Sequence, residues 1–158
     1  MAENLAMRDL ISPKAVNASL DVVTKKDVLQ AIAASSAALI GKEALSVFDV
    51  LWERERLGTT GVGQGIAIPH GRVPGLDKVV GYFARLSQSV NFEAIDDKPV
   101  DLVFLLLAPE AAGADHLHAL ASVSRLLRDQ KLCEQLRRAK DADAIYRLLT
   151  EAAAAQAA

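Results

Sequence analysis

The spacing of apolar residues changes character along this chain, and each change marks a predicted element. Val28, Leu29, Ile32, Leu39 and Ile40 recur at helical spacing. They follow Thr24-Lys25-Lys26-Asp27, which has the spacing of a capping box, and they run to Gly41, a natural helix stop. A second helix is predicted from about Lys42 to Leu57, with Leu45, Phe48, Leu51 and Trp52 on one face and Gly58 at its end. Ahead of both helices, Ser12-Pro13 and Asn17 mark an irregular entry, and Val16 to Leu20 reads as a short strand. Met1 to Asn4 is expected to be loose.

The period then shortens to that of strands. Ile66 to Ile68 is a first strand, cut off at Pro69. Val79 to Ser87 alternates, with Val80, Tyr82, Ala84 and Leu86 on one side and Gly81, Phe83, Arg85 and Ser87 on the other. Val100 to Leu107 is almost unbroken aliphatic sequence ending before Pro109, as a strand covered on both faces would read. Helical spacing returns in His116 to Asp129, Lys131 to Ala139 and Asp141 to Leu149. The last residues, Ala152 to Ala158, are low in complexity and are expected to fray as a helix end. Helices, then strands, then helices imply a sheet layered with helices, an α/β or α+β domain.

Composition narrows this picture in a few ways. Hydrophobic residues are 51% of 158 and aromatics only 4%, so one aliphatic core of ordinary domain size is expected. A net charge of −2 offers no broad basic field for nucleic acid. No apolar run has membrane-spanning length, and the start lacks the pattern of a secretory leader. The single cysteine, Cys133, is expected half-buried on a helix and suits a reducing compartment. A cytoplasmic location is the resulting expectation.

The candidate chemistry centres on Pro69-His70-Gly71. The proline ends a strand, and the glycine leaves open backbone beside an imidazole that can serve as base, nucleophile or metal ligand. The glycine-rich stretch from Gly58 to Gly65 follows a helix and opens a strand, the reverse of a dinucleotide fingerprint, and it lacks the Gly-Lys-Ser/Thr of a Walker loop. Its glycines make tight turns or let backbone N–H groups approach a small anion. His116 and His118 sit two positions apart on one predicted helix, about 200° around its axis, so they do not readily share a metal with His70. No G-x-S-x-G elbow is present, Cys133 has no neighbouring histidine, and Asp96-Asp97 reads as a solvated turn.

Two further residues could assist His70. Arg54, near the end of the second helix, could fold back to the strand end and offer a planar fork to phosphate oxygens; alternatively it is one surface charge in the Glu53-Arg54-Glu55-Arg56 cluster. His116 opens the helix after the aliphatic strand, where anions are favoured; alternatively it is a capping or buried polar residue.

Glu53-Arg54-Glu55-Arg56-Leu57-Gly58-Thr59-Thr60-Gly61, Gly65-Ile66-Ala67-Ile68-Pro69-His70-Gly71 and His116-Leu117-His118-Ala119-Leu120 together resemble the type-2 EIIA family of the bacterial phosphotransferase system, with the nitrogen-regulatory branch the nearer. The resemblance runs from about Leu10 to Leu149. It implies one domain over residues 5–150 with a tail over 151–158, built as a mixed sheet with helices on both faces. It implies that His70 accepts a phosphoryl group from an HPr-like carrier, with Arg54 and His116 as active-site partners and Gly71 and Thr60 as phosphate-site support. It implies no metal and no cofactor, and it leaves the part of His118 open. Regulated proteins in the branch include potassium-transport regulators and sensor kinases. The alternative within the family is a sugar-specific component that donates its phosphate to an EIIB cysteine.

Overall fold

The computed structural model describes residues 6–111 and 113–157; the expected loose start, Met1 to Asn4, lies outside them. Helix α1 (Met7–Leu10) and a single 3-10 turn (Pro13–Ala15) lead into strand β1 (Val16–Leu20). Helices α2 (Lys25–Ile40) and α3 (Ala44–Arg56) follow as an adjacent pair. Four strands come next: β2 (Gly61–Gly63), β3 (Ile66–Ala67), β4 (His70–Val73) and the long β5 (Val80–Val90). Strand β6 (Val100–Pro109) completes the sheet, and α4 (Ala114–Leu127), α5 (Gln130–Arg138) and α6 (Ala142–Ala157) close the chain.

The sheet is mixed, in the order β1-β5-β6-β3-β2, with β4 also paired to β6. Strand β1 runs parallel to β5, β5 runs antiparallel to β6, and both β3 and β4 run parallel to β6. Every residue from Leu102 to Ala108 is at most 1% exposed, so both faces of β6 are covered, as its unbroken aliphatic run implied. The expected architecture, one α/β domain with helices against a mixed sheet, is the one found.

Local chemistry explains the helix ends. Thr24 Oγ1 accepts from the Asp27 amide at 3.0 Å and Asp27 Oδ2 accepts from the Thr24 amide at 3.3 Å, a reciprocal cap. Gly41 takes φ 71°, and the chain turns there into α3.

Three expectations need correcting. The buried face of α3 is not Leu45-Phe48-Leu51-Trp52: Leu45 is 70% exposed, and the buried stripe is Val47, Leu51 and Glu55 at steps of four. Phe48 and Trp52 instead stack on each other at its margin, ring centres 5.8 Å apart. Pro69 interrupts the strand but does not end its course along β6: β3 stops at Ala67 and β4 starts at His70, with Ile66 opposite Leu102 and His70 opposite Leu106, so the register is unchanged on both sides of the proline. The only loss is the proline's own donor, while its carbonyl still accepts from the Leu106 amide at 2.9 Å. Finally, α6 continues through the alanine-rich tail to Ala157, with Ala152 and Ala153 packed against the core.

Candidate functional site

Helix α3 lies across β4 and sets the site. Val50 and Arg54 are one turn apart, so both occupy the helix stripe over β4. Val50 Cγ1 stands where a Cβ on Gly71 would be. The space beside the glycine, expected to be open backbone, is thus filled by α3. Gly71 is small so that the helix can come close.

His70 is half-buried at the start of β4, and both ring nitrogens have partners. Nδ1 lies 2.9 Å from the Ile68 carbonyl oxygen, and Nε2 lies 3.3 Å from Arg54 Nε. A carbonyl only accepts and a guanidinium only donates. The neutral ring must therefore carry its hydrogen on Nδ1 and present its lone pair at Nε2. Burial lowers the His70 pKa below the ordinary imidazole value, and the Arg54 charge adds to this; the Ile68 carbonyl and the Glu55 carboxylate act the other way. A neutral imidazole whose Nε2 lone pair is held only by a guanidinium N–H can act as a nucleophile once that N–H turns to an incoming anion.

Arg54 is itself anchored, donating from Nη1 to the Gly58 carbonyl at 2.8 Å. The contact with His70 sets Arg54 beside the candidate imidazole instead of out among the surface charges of its cluster. His116, the third residue of α4, places its ring 5.6 Å from that of His70 in an edge-on arrangement. It is 7% exposed, and its Nε2 is buried with no hydrogen-bond partner among the described residues. Burial lowers its pKa, with His70 and Arg72 adding to the effect. An unpartnered buried ring nitrogen beside a nucleophile is a place where a ligand oxygen can be received. His118 points to solvent from the same helix and stays outside the cluster.

Thr60 is buried, and its hydroxyl is directed to a carboxylate of the chain itself. It donates to Glu55 Oε1 at 2.6 Å, and the Thr60 amide donates to Glu55 Oε2 at 2.9 Å. Lys25 completes the carboxylate's partners, its Nζ 2.7 Å from Oε2. Sequence reading passed over Glu55 and Lys25, because a Glu-Arg-Glu-Arg run looks like a solvated helix end. The signal available was the step of four from Val47 through Leu51 to Glu55. Arg72 was also passed over; it is exposed and held by the Glu110 carbonyl at 2.8 Å.

The glycine-rich stretch forms a hairpin, β2 against β3, turning through Gly63, Gln64 and Gly65 at positive φ. Asp96 accepts from the Gln64 amide at 3.0 Å and so pins that turn. Cys133 is buried in α5, its thiol near the Leu127 carbonyl, and burial pushes its pKa up. Among the described residues no three His, Cys, Asp or Glu side chains converge to hold a metal, and no helix is long and apolar enough to cross a membrane.

Comparison with known proteins identifies the family and the fold. The family described as "Phosphoenolpyruvate-dependent sugar phosphotransferase system, EIIA 2" matches residues 9–152. A nitrogen regulatory protein of Bradyrhizobium diazoefficiens is 54% identical over 145 residues, covering 92% of this chain and 95% of that protein. The crystal structure of nitrogen regulatory protein IIA-Ntr from Neisseria meningitidis superposes with a TM-score of 0.83 at 34% identity, covering 90% and 97% of the two chains. The mannitol IIA of Escherichia coli, 23% identical, shares the fold with a TM-score of 0.72 over 87% and 97%. This chain belongs to the type-2 EIIA family of the phosphoenolpyruvate-dependent phosphotransferase system, and its relatives include nitrogen regulatory proteins.

Proposed function

We propose that this protein is a cytoplasmic phosphocarrier of the nitrogen-regulatory kind, in which Nε2 of His70 takes a phosphoryl group from the phosphohistidine of an HPr-like carrier. That carrier is charged from phosphoenolpyruvate by an Enzyme I homologue. The observation that carries the reading is the tautomer of His70, with Nδ1–H on the Ile68 carbonyl and the lone pair at Nε2 beside Arg54.

In the transfer, the P–N bond to the carrier's ring breaks and that ring leaves with the electron pair. As the Arg54 Nε–H turns from Nε2 to a phosphoryl oxygen, a P–N bond to Nε2 of His70 forms; the hydrogen stays on Nδ1, donated to the Ile68 carbonyl, which stabilises the positive charge the phosphorylated ring gains. Charge on the phosphoryl oxygens is met by the Arg54 fork and by His116, whose Nε2 is free to engage an oxygen. Phosphoryl transfer needs positioning and charge stabilisation above all, so neither metal nor cofactor is required. Gly71 supports the site by admitting α3, and Thr60 by holding Glu55.

The output proposed is phosphorylation-dependent binding to target proteins, potassium-transport regulators and sensor kinases among them. The naming of its relatives as nitrogen regulatory proteins favours this over donation to an EIIB cysteine. The test is incubation with phosphoenolpyruvate, an Enzyme I and an HPr-type carrier. An acid-labile adduct on the native chain, absent from His70→Ala, is expected; a full-rate adduct on His70→Ala rejects the assignment.

A further inference from the structure

Glu55 has no place in the transfer just described, yet it is a nearly buried carboxylate in the residue next to Arg54. Its partners close a circuit. Glu55 accepts from the amide and hydroxyl of Thr60. The Thr60 carbonyl accepts from the Ile68 amide at 2.9 Å. The Ile68 carbonyl in turn takes the Nδ1–H of His70, and Nε2 of His70 takes the Nε–H of Arg54. Arg54 and Glu55 are adjacent in α3, so the circuit begins and ends on one peptide unit. The guanidinium also ties back to Gly58, between the helix end and Thr60.

We infer that Glu55, acting through Thr60 and held in place by Lys25, is a positioning residue that holds His70 in its Nδ1–H tautomer and so sets the rate at which Nε2 takes up a phosphoryl group. The inference rests on the phosphocarrier reading above. The physical reason lies in the Ile68 peptide. A carbonyl selects an imidazole tautomer only if its own direction is fixed. The Ile68 carbonyl lies in the peptide shared with Pro69, between two anchors: the Ile68 amide on the Thr60 carbonyl before it and the Pro69 carbonyl on the Leu106 amide after it, each at 2.9 Å, so Thr60 supplies one of the two. Thr60 is fixed by two bonds to one carboxylate. That carboxylate is fixed by a lysine whose ammonium group also lies over Phe92, Nζ 5.0 Å from the ring centre. Lys25 is the first residue of α2, so the circuit also ties α2 to the end of α3. A buried ion pair alone is weak evidence of stabilisation. One placed to orient the peptide that holds a nucleophile has a positioning use.

Thr60→Val tests this, since it keeps the shape and the backbone bond and removes only the hydroxyl; Thr60→Ser restores the hydroxyl. Three quantities are measured on each chain: the initial rate of phosphoryl uptake from an HPr-type carrier, the ring 15N shifts of His70 without phosphate, and the urea midpoint. Thr60→Val is expected to slow uptake on the order of 10- to 100-fold, as loss of near-attack geometry does. It is also expected to move the ring toward a mixture of tautomers, while Thr60→Ser recovers both. Uptake at the native rate by Thr60→Val overturns the inference. So does slower uptake with an unchanged tautomer, or a failure of Thr60→Ser to recover. If the native chain takes up no phosphate, the phosphocarrier reading itself fails, which the same experiment reads first.

Discussion

Arg54 Nε lies 3.3 Å from Nε2 of His70, on the same side chain whose Nη1 is tied to the Gly58 carbonyl. One guanidinium thus does two things: it marks the nucleophilic nitrogen and spans the helix end to the loop. Arg54→Ala and Arg54→Lys are both expected to slow phosphoryl uptake, the alanine variant on the order of 100-fold, the scale of losing one donor to developing charge. Lysine restores charge but not the fork. Stability, read from the urea midpoint, should change by no more than about 1 kcal/mol, because the bonds lost are part-exposed ones. Native-rate uptake by Arg54→Ala would remove Arg54 from the mechanism.

Among the described residues the buried Nε2 of His116 has no hydrogen-bond partner. A phosphoryl group on His70 brings negative charge to within reach of that ring, and negative charge favours the protonated imidazole. The pKa of His116, lowered in the free protein, should therefore rise when His70 is phosphorylated. An NMR titration of both states measures it. An unchanged or lower value in the phosphorylated state would place His116 away from the group.

Acid should weaken the fold in a definite window. Both His70 and His116 have pKa values lowered from the ordinary 6.5, chiefly by burial. Between those lowered values and about 6.5 the unfolded chain binds more protons than the folded one, so stability rises with pH there. On acidification, stability begins to fall near pH 6.5 and the loss levels off below the folded-state pKa values. Urea midpoints from pH 8 to pH 5 measure this, and His70→Ala/His116→Ala should flatten the slope. An identical slope in that variant would assign the loss to other groups.

Gly71 and Val50 are a packing pair. Gly71→Ala should destabilise the protein by about 1–3 kcal/mol through overpacking, because the new Cβ would overlap Val50 Cγ1. Val50→Ala in the same chain should recover part of that loss. If Gly71→Ala costs nothing in chemical denaturation, the close approach of α3 to β4 is not tight.

Lys25 neutralises a carboxylate that has little water around it. The side chains are 14% and 3% exposed. Lys25→Met should cost about 3–5 kcal/mol, since it leaves Glu55 charged and buried without its partner. Adding Glu55→Gln should return some of that stability in urea denaturation. No recovery would mean that the penalty comes from elsewhere.

Much of this fold could be read ahead of the structure, and the exceptions have physical causes. The cap at Thr24 and the doubly covered β6 are local or nearly local patterns, so they were legible. The face of α3 was misread because its buried stripe includes a glutamate, which pattern reading assigns to solvent; its partners, Lys25 and Thr60, come from other segments. Strand β4 was missed because Pro69 looks like a terminator, although it forfeits one donor and leaves the register intact. His70 could be singled out from Pro-His-Gly alone. That Arg54 and His116 would meet it was one of two open readings of each residue until the resemblance favoured it, since the folding of α3 over β4 and the packing of α4 decide it.

The most direct measurement is the position of phosphorus on the ring. With 15N-labelled histidine and phosphoenolpyruvate, an Enzyme I and an HPr-type carrier, phosphorus–nitrogen coupling identifies the bonded nitrogen. The geometry requires the bond at Nε2 of His70 with Nδ1 still protonated. A bond at Nδ1, or a phosphoryl group on another histidine, would contradict the account.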